Sequence, residues 1–193
     1  AIILADGVIG QMMEKVVLPE QRTRLTDEEV IARCPWATTG RTHHRTPNII
    51  TSLELDPAEM EKRNIHLQKK YAEIEENEVR FEELHCEDAE YLIVAFGSCA
   101  RIAQKAMEIA REEGIKVGLL RPITLWPFPS KAIAARAAQV KGILTVELNA
   151  GQMVEDVRLA VECKVPVEHF GRLGGIVPDP DEVITALKEK LIK

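Results

Sequence analysis

The stretch YLIVAFGSCARIAQKAMEIAREEGIKVGLL, residues 91–120, indicates the fold of the larger part of this chain. It opens with the apolar run YLIVAF, which is typical of a strand buried on both faces. A segment of helical periodicity follows, and we expect Ser98 to be its N-cap and Gly114 its C-terminal stop. The apolar run KVGLL then predicts a second strand. The unit is therefore strand–helix–strand, with parallel strands and a right-handed crossover.

The same alternation continues to the end of the chain. Strands are predicted at 142–148 and 165–170, and helices are predicted after Ser130, in GQMVEDVRLAVE and after Asp179. Ser130 and Asp179 are expected to cap their helices. We therefore predict an α/β domain over 89–193, with a mostly parallel sheet flanked by helices. The helical residues predicted to face its core are Ile102, Ala106, Ile109, Ala110, Ile133, Ala134, Ala137, Val154, Val157, Val161, Val183, Ile184, Leu187 and Leu191.

Two further zones precede this domain. Residues 1–20 open with AIILADG, whose apolar run predicts a strand buried on both faces. Because such a strand needs neighbours, we expect it to belong to a domain whose remainder lies outside this sequence. Residues 21–88 are predicted to be a linker with one long helix from about residue 57, and VRFEEL after that helix has the alternating character of a short edge strand.

The long helix has a well-marked start. Asp56, Pro57 and Glu59 form the pattern of a capping box with proline at the first helical position. The rest of the segment is charged apart from a narrow stripe, which predicts an exposed helix lying along a surface. The stripe residues are Met60, Leu67, Tyr71 and Ile74.

Composition excludes several classes of function. The net charge is −6, which argues against general nucleic-acid binding. The apolar runs are all shorter than the roughly 20 residues that span a bilayer, so we expect no membrane partner. The four cysteines form no C-x-x-C pair, so the sequence predicts no metal or iron–sulfur site on this chain. Reduced thiols and a cytoplasmic location are expected.

Ligands of open α/β sheets collect beyond the carboxyl ends of the strands, and the loops and turns at these ends are candidates. In FGSCAR, the residues Gly97, Ser98 and Arg101 lie at a predicted helix N-terminus, which suits an anion or is only a capped turn. In ELNAGQM, the side chains of Asn149 and Gln152 could hold a ligand or a partner loop, or could simply cap the next helix. Glu147 in the same loop and Arg172 in the glycine-rich FGRLGG turn are further polar candidates.

The third loop, LLRPITLWPFPS at 119–130, is stiff and aromatic. It is either a ligand loop or an apolar plug that packs against another domain or subunit. Trp126 and Phe128 favour the plug, since prolines remove backbone donors and these rings offer one indole N–H. Arg121 is the residue there that could reach an anion.

The segment TGRTHHRTP is dense in cations, with Arg33 upstream of it. It is either a solvated linker or a polar loop beside an anionic substrate. The adjacent His43 and His44 are a weak metal signal, and no serine or cysteine stands in a nucleophile motif. Catalytic residues therefore stay unassigned.

Several motifs together resemble one family. They are ADGVIGQMMEKVVLP, PWATTGR with NIITSLELDPAEMEKRN, DAEYLIVAFGSCARIA, LRPITLWPFP, ELNAGQMVEDVRLAV and GRLGG. The chain resembles the C-terminal part of the α-type subunit of thiamine-diphosphate-dependent 2-oxoacid:ferredoxin oxidoreductases. WATTGR before NIITSLELDP is most similar to the branched-chain, 2-oxoisovalerate type. The 2-oxoglutarate type is the alternative.

The resemblance implies a layout and an activity. Residues 1–20 would end a pyrimidine-binding domain, and 89–193 would be a transketolase C-terminal-like domain. The whole complex would carry thiamine diphosphate, Mg²⁺ and iron–sulfur clusters, with none of them bound by this chain alone. It would decarboxylate a 2-oxoacid oxidatively to acyl-coenzyme A and CO₂ and pass electrons to ferredoxin. Arg33, Arg41 and Thr42 are predicted to lie near the substrate.

The same resemblance implies partners for this chain. They are the thiamine-diphosphate-binding and iron–sulfur subunits, with ferredoxin, coenzyme A and the 2-oxoacid as further ligands of the complex. The chain alone is expected to be an inactive, structural domain that helps to build an interface. A non-catalytic module that binds an anion or coenzyme A at Gly97 and Ser98 is the alternative.

Overall fold

The computed structural model describes residues 2–5, 7–13, 15–36, 49 and 51–192. The chain divides into two compact units, Ala1–Leu67 and Gln68–Lys193, and each is described by itself. The first unit holds the helices α1 (Gly7–Gln11) and α2 (Asp27–Arg33) and the first half of α3 (Pro57–Asn77).

The strand predicted for AIILADG is wrong in the part of it that the structure describes. Residues 2–5 have no strand structure, and the side chains of Ile2, Ile3 and Leu4 are exposed. The physical reason is that a strand depends on a neighbouring strand for its backbone hydrogen bonds, and no described residue pairs with this segment. The last residue of the motif, Gly7, instead begins α1.

Helix starts in the first unit follow local hydrogen bonding. The Asp56 carboxylate accepts from the backbone N–H of Ala58 at 2.8 Å and of Glu59 at 3.3 Å, which confirms it as the cap of α3. The Glu59 carboxylate pairs with Lys62 at 2.6 Å instead of closing the capping box. A full capping box, which the sequence reading missed, starts α2 between Thr26 and Glu29.

The second unit is built on one five-stranded sheet. Its strands are β1 (Phe81–Leu84), β2 (Tyr91–Ala95), β3 (Val117–Pro122), β4 (Gly142–Glu147) and β5 (Val167–Gly171). Their order in the sheet is β1-β3-β2-β4-β5. The four predicted parallel strands are confirmed, and VRFEEL supplies the antiparallel edge strand β1, which pairs with β3.

Helices cover both faces of this sheet. They are α4 (Gly97–Glu112), α5 (Ser130–Ala137), α6 (Met153–Val161) and α7 (Pro180–Leu187), and a π-helical turn, Lys188–Ile192, follows α7. One core cluster joins the sheet to α4 and α7, and the other joins it to α5 and α6. The inward face is confirmed as buried at Ala106, Ala110, Ile133, Ala137, Val154, Val157, Val161, Val183, Ile184 and Leu187. Ile102, Ile109, Ala134 and Leu191 are half-buried.

Of the predicted helix ends, the N-caps at Ser98 and Ser130 are wrong, whereas the N-cap at Asp179 and the stop at Gly114 are confirmed. Ser98 is the second residue of α4, whose N-cap is Phe96, because the Phe96 carbonyl oxygen already accepts from the backbone N–H of Ala100 at 3.2 Å and so starts the helix before Ser98. Ser130 is likewise the first helical residue of α5, after the N-cap Pro129. Asp179 caps α7 in a complete capping box with Glu182, as predicted. Gly114, with a φ of 85°, directly follows the C-cap of α4.

Candidate functional site

The sheet order places one crevice at the carboxyl ends of β2 and β4. These strands are neighbours, but β2 leads through α4 to β3 on one side, whereas β4 leads through α6 to β5 on the other. Connections that leave adjacent strands in opposite directions open a crevice where open α/β sheets bind ligands. The loops that border it are 96–98 and 148–152.

The N-terminus of α6 at this crevice is already filled by a carboxylate of the chain. Glu147, the last residue of β4, has only 1% of its surface exposed. Its oxygens accept hydrogen bonds from the backbone N–H groups of Gln152 at 3.2 Å, Met153 at 2.9 Å and Val154 at 3.0 Å. These are the free donors of a helix start, and the helix dipole favours a negative charge there. Glu147 therefore occupies the place of a ligand anion.

His169 on β5 ties this carboxylate to the neighbouring loop. Its Nδ1 lies 3.5 Å from Glu147 Oε1 and 3.3 Å from Thr145 Oγ1, and its Nε2 lies 3.3 Å from the carbonyl oxygen of Asn149. The Asn149 side chain accepts from the backbone N–H of Gly151 at 2.7 Å, which is an Asx turn. Of the two readings of Asn149, the structure thus favours the turn. Its predicted companion, Gln152, has an exposed side chain.

Close backbone packing holds β5 against this loop. A Cβ atom on Gly171 would lie 2.2 Å from the Asn149 carbonyl oxygen and 2.6 Å from His169 Nε2. Only glycine fits at such a separation, so the residue at 171 sets how closely the loop approaches the strand end. The sequence predicts that Gly171 lies in a glycine-rich turn, but it does not indicate this close contact with the loop.

The N-terminus of α4 on the other side of the crevice differs from that of α6. Gly97, Ser98 and Arg101 all lie in its first turns, as predicted, and the N-cap Phe96 supplies no side-chain hydrogen bond. The Ser98 hydroxyl oxygen is buried and has no hydrogen-bond partner among the described residues. The predicted binding of an anion here stays a prediction.

The two arginines at the carboxyl edge are paired within the chain. Arg121 Nη1 lies 3.0 Å from Glu82 Oε2 on the adjacent edge strand, and Arg172 Nη1 lies 2.9 Å from Glu182 Oε1 in the first turn of α7. Each guanidinium thus already has a carboxylate partner. An incoming anion would compete with these carboxylates.

The stiff loop exposes an aromatic ring. Trp126 has 55% of its surface exposed, and its ring makes an edge-on contact with that of Tyr71, with centroids 5.6 Å apart. Phe128 is half-buried and packs against the core cluster of α5 and α6. Thr124 Oγ1 donates to the carbonyl oxygen of Pro127 at 2.8 Å, which pins the loop. Trp126 therefore has the exposure that the docking interpretation requires, whereas Phe128 largely supports its own domain.

The predicted substrate-proximal residues fall in or near the first unit. Arg33 is the last residue of α2 and is exposed. Arg41 and Thr42, with His43 and His44, lie outside the described residues. Among the described residues, no three His, Cys, Asp or Glu side chains come together to hold a metal ion.

A part-buried ion pair behind the edge strand was missed by the sequence reading. Arg136 on α5 makes two hydrogen bonds to Glu83 on β1, with its Nη2 at 2.6 Å and its Nε at 2.9 Å from the carboxylate oxygens. This carboxylate raises the pKa of Arg136. Burial, with a further contribution from Glu83, raises the pKa of the neighbouring Cys86 thiol to about 11. Arg136 and Glu83 are 53 residues apart in the sequence, so no local sequence pattern indicates that they form a pair.

The sheet, its flanking helices and the loops at its carboxyl edge define a mostly parallel α/β domain. Residues 89–183 match the family described as pyruvate:ferredoxin oxidoreductase core domain II. The chain is 43% identical over 188 residues to the ketoisovalerate oxidoreductase subunit VorB of Methanothermobacter marburgensis, covering 97% of this chain and 51% of that protein. The family resemblance drawn from the motifs is thereby confirmed.

Other relatives lie further away. The 2-oxoglutarate synthase subunit KorA of Archaeoglobus fulgidus is 31% identical over 181 residues, covering 92% of this chain and 50% of that protein. The chain thus spans about half the length of the curated relatives it matches.

Two solved structures support the predicted fold class. A 2-oxoglutarate:ferredoxin oxidoreductase from Magnetococcus marinus, solved with 2-oxoglutarate, coenzyme A and succinyl-CoA bound, superposes with a TM-score of 0.61. Its sequence is 25% identical, and the match covers 70% of this chain and 24% of that one. A split-gene transketolase gives a TM-score of 0.51 at 20% identity over 58% of this chain and 41% of that one, which shows the fold alone. The transketolase C-terminal-like fold is confirmed. No helix in the described ranges is long and apolar enough to cross a membrane.

Proposed function

We propose that this chain serves in a 2-oxoacid:ferredoxin oxidoreductase that converts a branched-chain 2-oxoacid to acyl-coenzyme A and CO₂ and passes the electrons to ferredoxin. The observation that carries the proposal is the similarity to a ketoisovalerate oxidoreductase subunit, 43% identity over 97% of the chain. The similarity to a 2-oxoglutarate synthase subunit is lower, 31% over 92%. The difference favours the branched-chain substrate.

Within such a complex, the role of this chain is structural support. Glu147, Asn149, Arg121 and Arg172 at the carboxyl edge each bond to another group of the same chain. Polar groups committed in this way hold loops in place and are poorly suited to proton transfer. We therefore assign no catalytic residue to the second unit.

The family resemblance implies thiamine diphosphate, Mg²⁺ and iron–sulfur clusters in the whole complex. The described residues do not fit direct ligation of the metals, since no three metal-ligating side chains converge among them. We infer that other parts of the complex bind these groups.

Domain roles follow from the resemblance and remain part of the proposal. Residues 1–20 correspond to the end of a pyrimidine-binding domain, 21–88 to a linker, and 89–193 to the transketolase C-terminal-like domain. Arg33, Arg41 and Thr42 would then approach the substrate carboxylate. Arg33→Ala in the whole complex should raise the KM for the 2-oxoacid, and an unchanged KM would remove Arg33 from this role.

The test uses the assembled complex that contains this chain. It is supplied with coenzyme A, a viologen dye and a panel of 2-oxoisovalerate, 2-oxoglutarate, pyruvate and phenylglyoxylate, and dye reduction is followed. We expect the highest kcat/KM with 2-oxoisovalerate. Preference for 2-oxoglutarate would assign the chain to the 2-oxoglutarate type instead. No dye reduction with any 2-oxoacid would defeat the proposal.

A second candidate is a module that binds coenzyme A or another anion at the α4 N-terminus. The unpartnered Ser98 hydroxyl is the observation that favours it. Calorimetry of this chain with inorganic phosphate and with coenzyme A discriminates the two. Micromolar binding that is lost in Ser98→Val would support the module, and the absence of heat would leave the structural role.

A further inference from the structure

A groove of about 730 Å³ runs along one side of the second unit. One wall is the end of α3, at Glu75 and Glu76, continued by Val79. The opposite wall is the start of α5 with the loop before it, Trp126 to Ala132. Both walls belong to the same compact unit, so the groove is a feature of one body.

The exposed surface in and beside the groove is aromatic and aliphatic. Trp126 is 55% exposed and Phe81 is 39% exposed, and Tyr71 supports the Trp126 ring from the side. Ile123 and Leu125 add half-exposed aliphatic surface on the same loop. Surfaces rich in Trp, Tyr and Phe are typical of the centres of protein–protein interfaces.

The loop is ordered before any partner arrives. Thr124 Oγ1 accepts from the backbone N–H of Arg80 at 3.0 Å and donates to the Pro127 carbonyl oxygen at 2.8 Å. The prolines of LWPFP, Pro127 and Pro129, are buried, and they remove two backbone donors from the loop. A rigid surface loses little conformational entropy on binding, and this surface has few polar groups to desolvate.

The rim of the groove is acidic, and its charge favours a partner segment that carries a positive charge. Glu76 pairs with Lys131 at 3.6 Å, and Glu78 pairs with Arg80 at 3.3 Å. Glu75 is exposed and has no ion pair among the described residues. A two-fold contact centred on this groove would bring the unpaired Glu75 side chains of two copies of this chain towards each other, which is unfavourable. Nucleic acids and anionic membranes are disfavoured by the same charge.

We propose that this groove docks a segment of another polypeptide that inserts aliphatic side chains against Trp126 and Phe81 and sets a lysine or arginine beside Glu75. The proposal rests on the proposed function in one respect: the partner is taken to be another subunit of the same complex. Docking through apolar anchors with a complementary charge at the rim follows the general organisation of protein interfaces.

The first experiment maps the contact in the assembled complex. A photo-crosslinking amino acid replaces Trp126, and mass spectrometry identifies the attached residue. The matched control carries the same probe at Leu159, which is 78% exposed on α6 and is not part of the groove. We expect the Trp126 probe to attach to a different polypeptide, within one helical turn of a lysine or arginine. Crosslinks to this chain, to a second isotope-labelled copy of it or to an acidic segment would overturn the proposal, as would no crosslink beyond the Leu159 level.

The second experiment measures assembly by titration of separated subunits. Glu75→Lys keeps the fold, because Glu75 is exposed and unpaired among the described residues, and it should weaken assembly by roughly tenfold. Trp126→Ser should weaken it at least as much, whereas Leu159→Ser should leave it unchanged. Equal affinity of wild type and Glu75→Lys would overturn the charge assignment.

The two proposals can fail separately. A complex that reduces dye with a 2-oxoacid but shows no Trp126 crosslink leaves the proposed function standing and removes the docking groove. A specific Trp126 crosslink in a complex that turns over no 2-oxoacid would leave the docking groove standing and defeat the proposed function.

Discussion

The carboxylate of Glu147 lies 3.0 Å from the backbone nitrogen of Val154, the second residue of α6. Two further backbone N–H groups of the same helix start donate to it. The last residue of β4 thus caps the helix that follows it, and its buried carboxylate is held by three backbone donors and lies 3.5 Å from His169 Nδ1. This contact fixes the loop 148–152 at the switch-point crevice.

Glu147→Gln should reduce the free energy of unfolding by about 1–3 kcal/mol, because the amide can replace only one of the two accepting oxygens and removes the charge. Urea unfolding followed by circular dichroism measures the loss. The matched control is Glu155→Gln in the first turn of α6, where the side chain is exposed and the expected loss is below about 1 kcal/mol. Equal losses in the two variants would show that Glu147 does not act as the cap.

Gly171→Ala should be more destabilising than Gly142→Ala. The new Cβ at 171 would lie 2.2 Å from a backbone carbonyl oxygen, whereas at 142 it would meet the end of the Leu191 side chain at 2.8 Å. A side chain can rotate away and a backbone oxygen cannot, so we expect losses of roughly 3 kcal/mol and 1 kcal/mol. Thermal and urea unfolding of both variants provide the ranking, and the reverse order would contradict it.

The two ion pairs of the edge strand should differ in strength. Glu83–Arg136 has side chains only 20–23% exposed, whereas Glu82–Arg121 is 41–51% exposed. Arg136→Met should therefore reduce the free energy of unfolding by about 1–3 kcal/mol and Arg121→Met by less than about 1 kcal/mol. A double-mutant cycle with Glu83→Gln isolates the pair energy. A coupling indistinguishable from that of the exposed pair would contradict the assignment.

Stability should fall in alkali because of Cys86. Burial raises the thiol pKa in the folded protein from 9.0 to about 11, so the folded state holds the proton more tightly than the unfolded chain. The stability from this group is complete below pH 9 and is lost as the pH rises through about 11, amounting to roughly 2 kcal/mol. The difference in unfolding free energy between wild type and Cys86→Ala should shrink across that window. A difference that does not change with pH would contradict the prediction.

Much of the fold could be predicted because its signals are local. The apolar runs of β2 to β5, the capping box at Asp179 and the glycine stop at Gly114 each depend on residues within a few positions of one another. The predicted caps at Ser98 and Ser130 lie two residues and one residue too late, since the N-caps are Phe96 and Pro129 and neither makes the side-chain hydrogen bond that a sequence pattern indicates. The AIILADG strand was wrong because apolar character alone does not supply a hydrogen-bonded neighbour.

The candidate site was predicted less well. Asn149, Glu147 and Arg172 were recognised as polar residues at strand ends, but their partners were not. The ion pair of Arg136 with Glu83 was not predicted, because the two residues are far apart in the sequence. Trp126 was predicted to pack against another domain or subunit because its loop has so few polar groups; its exposure is what that interpretation requires, and the docking itself stays a prediction.

Neighbouring residues along the chain fix the alternation of strands and helices, the motifs that resemble the 2-oxoacid oxidoreductases and the composition of the loops, because periodicity, capping and motif identity are local properties. Only the tertiary structure decided the strand order, and with it which loops share the crevice. It also decided that Glu147 fills one helix end while Ser98 at the other has no partner among the described residues. The physical reason is that these contacts join groups brought together by packing of the sheet, which no local pattern encodes.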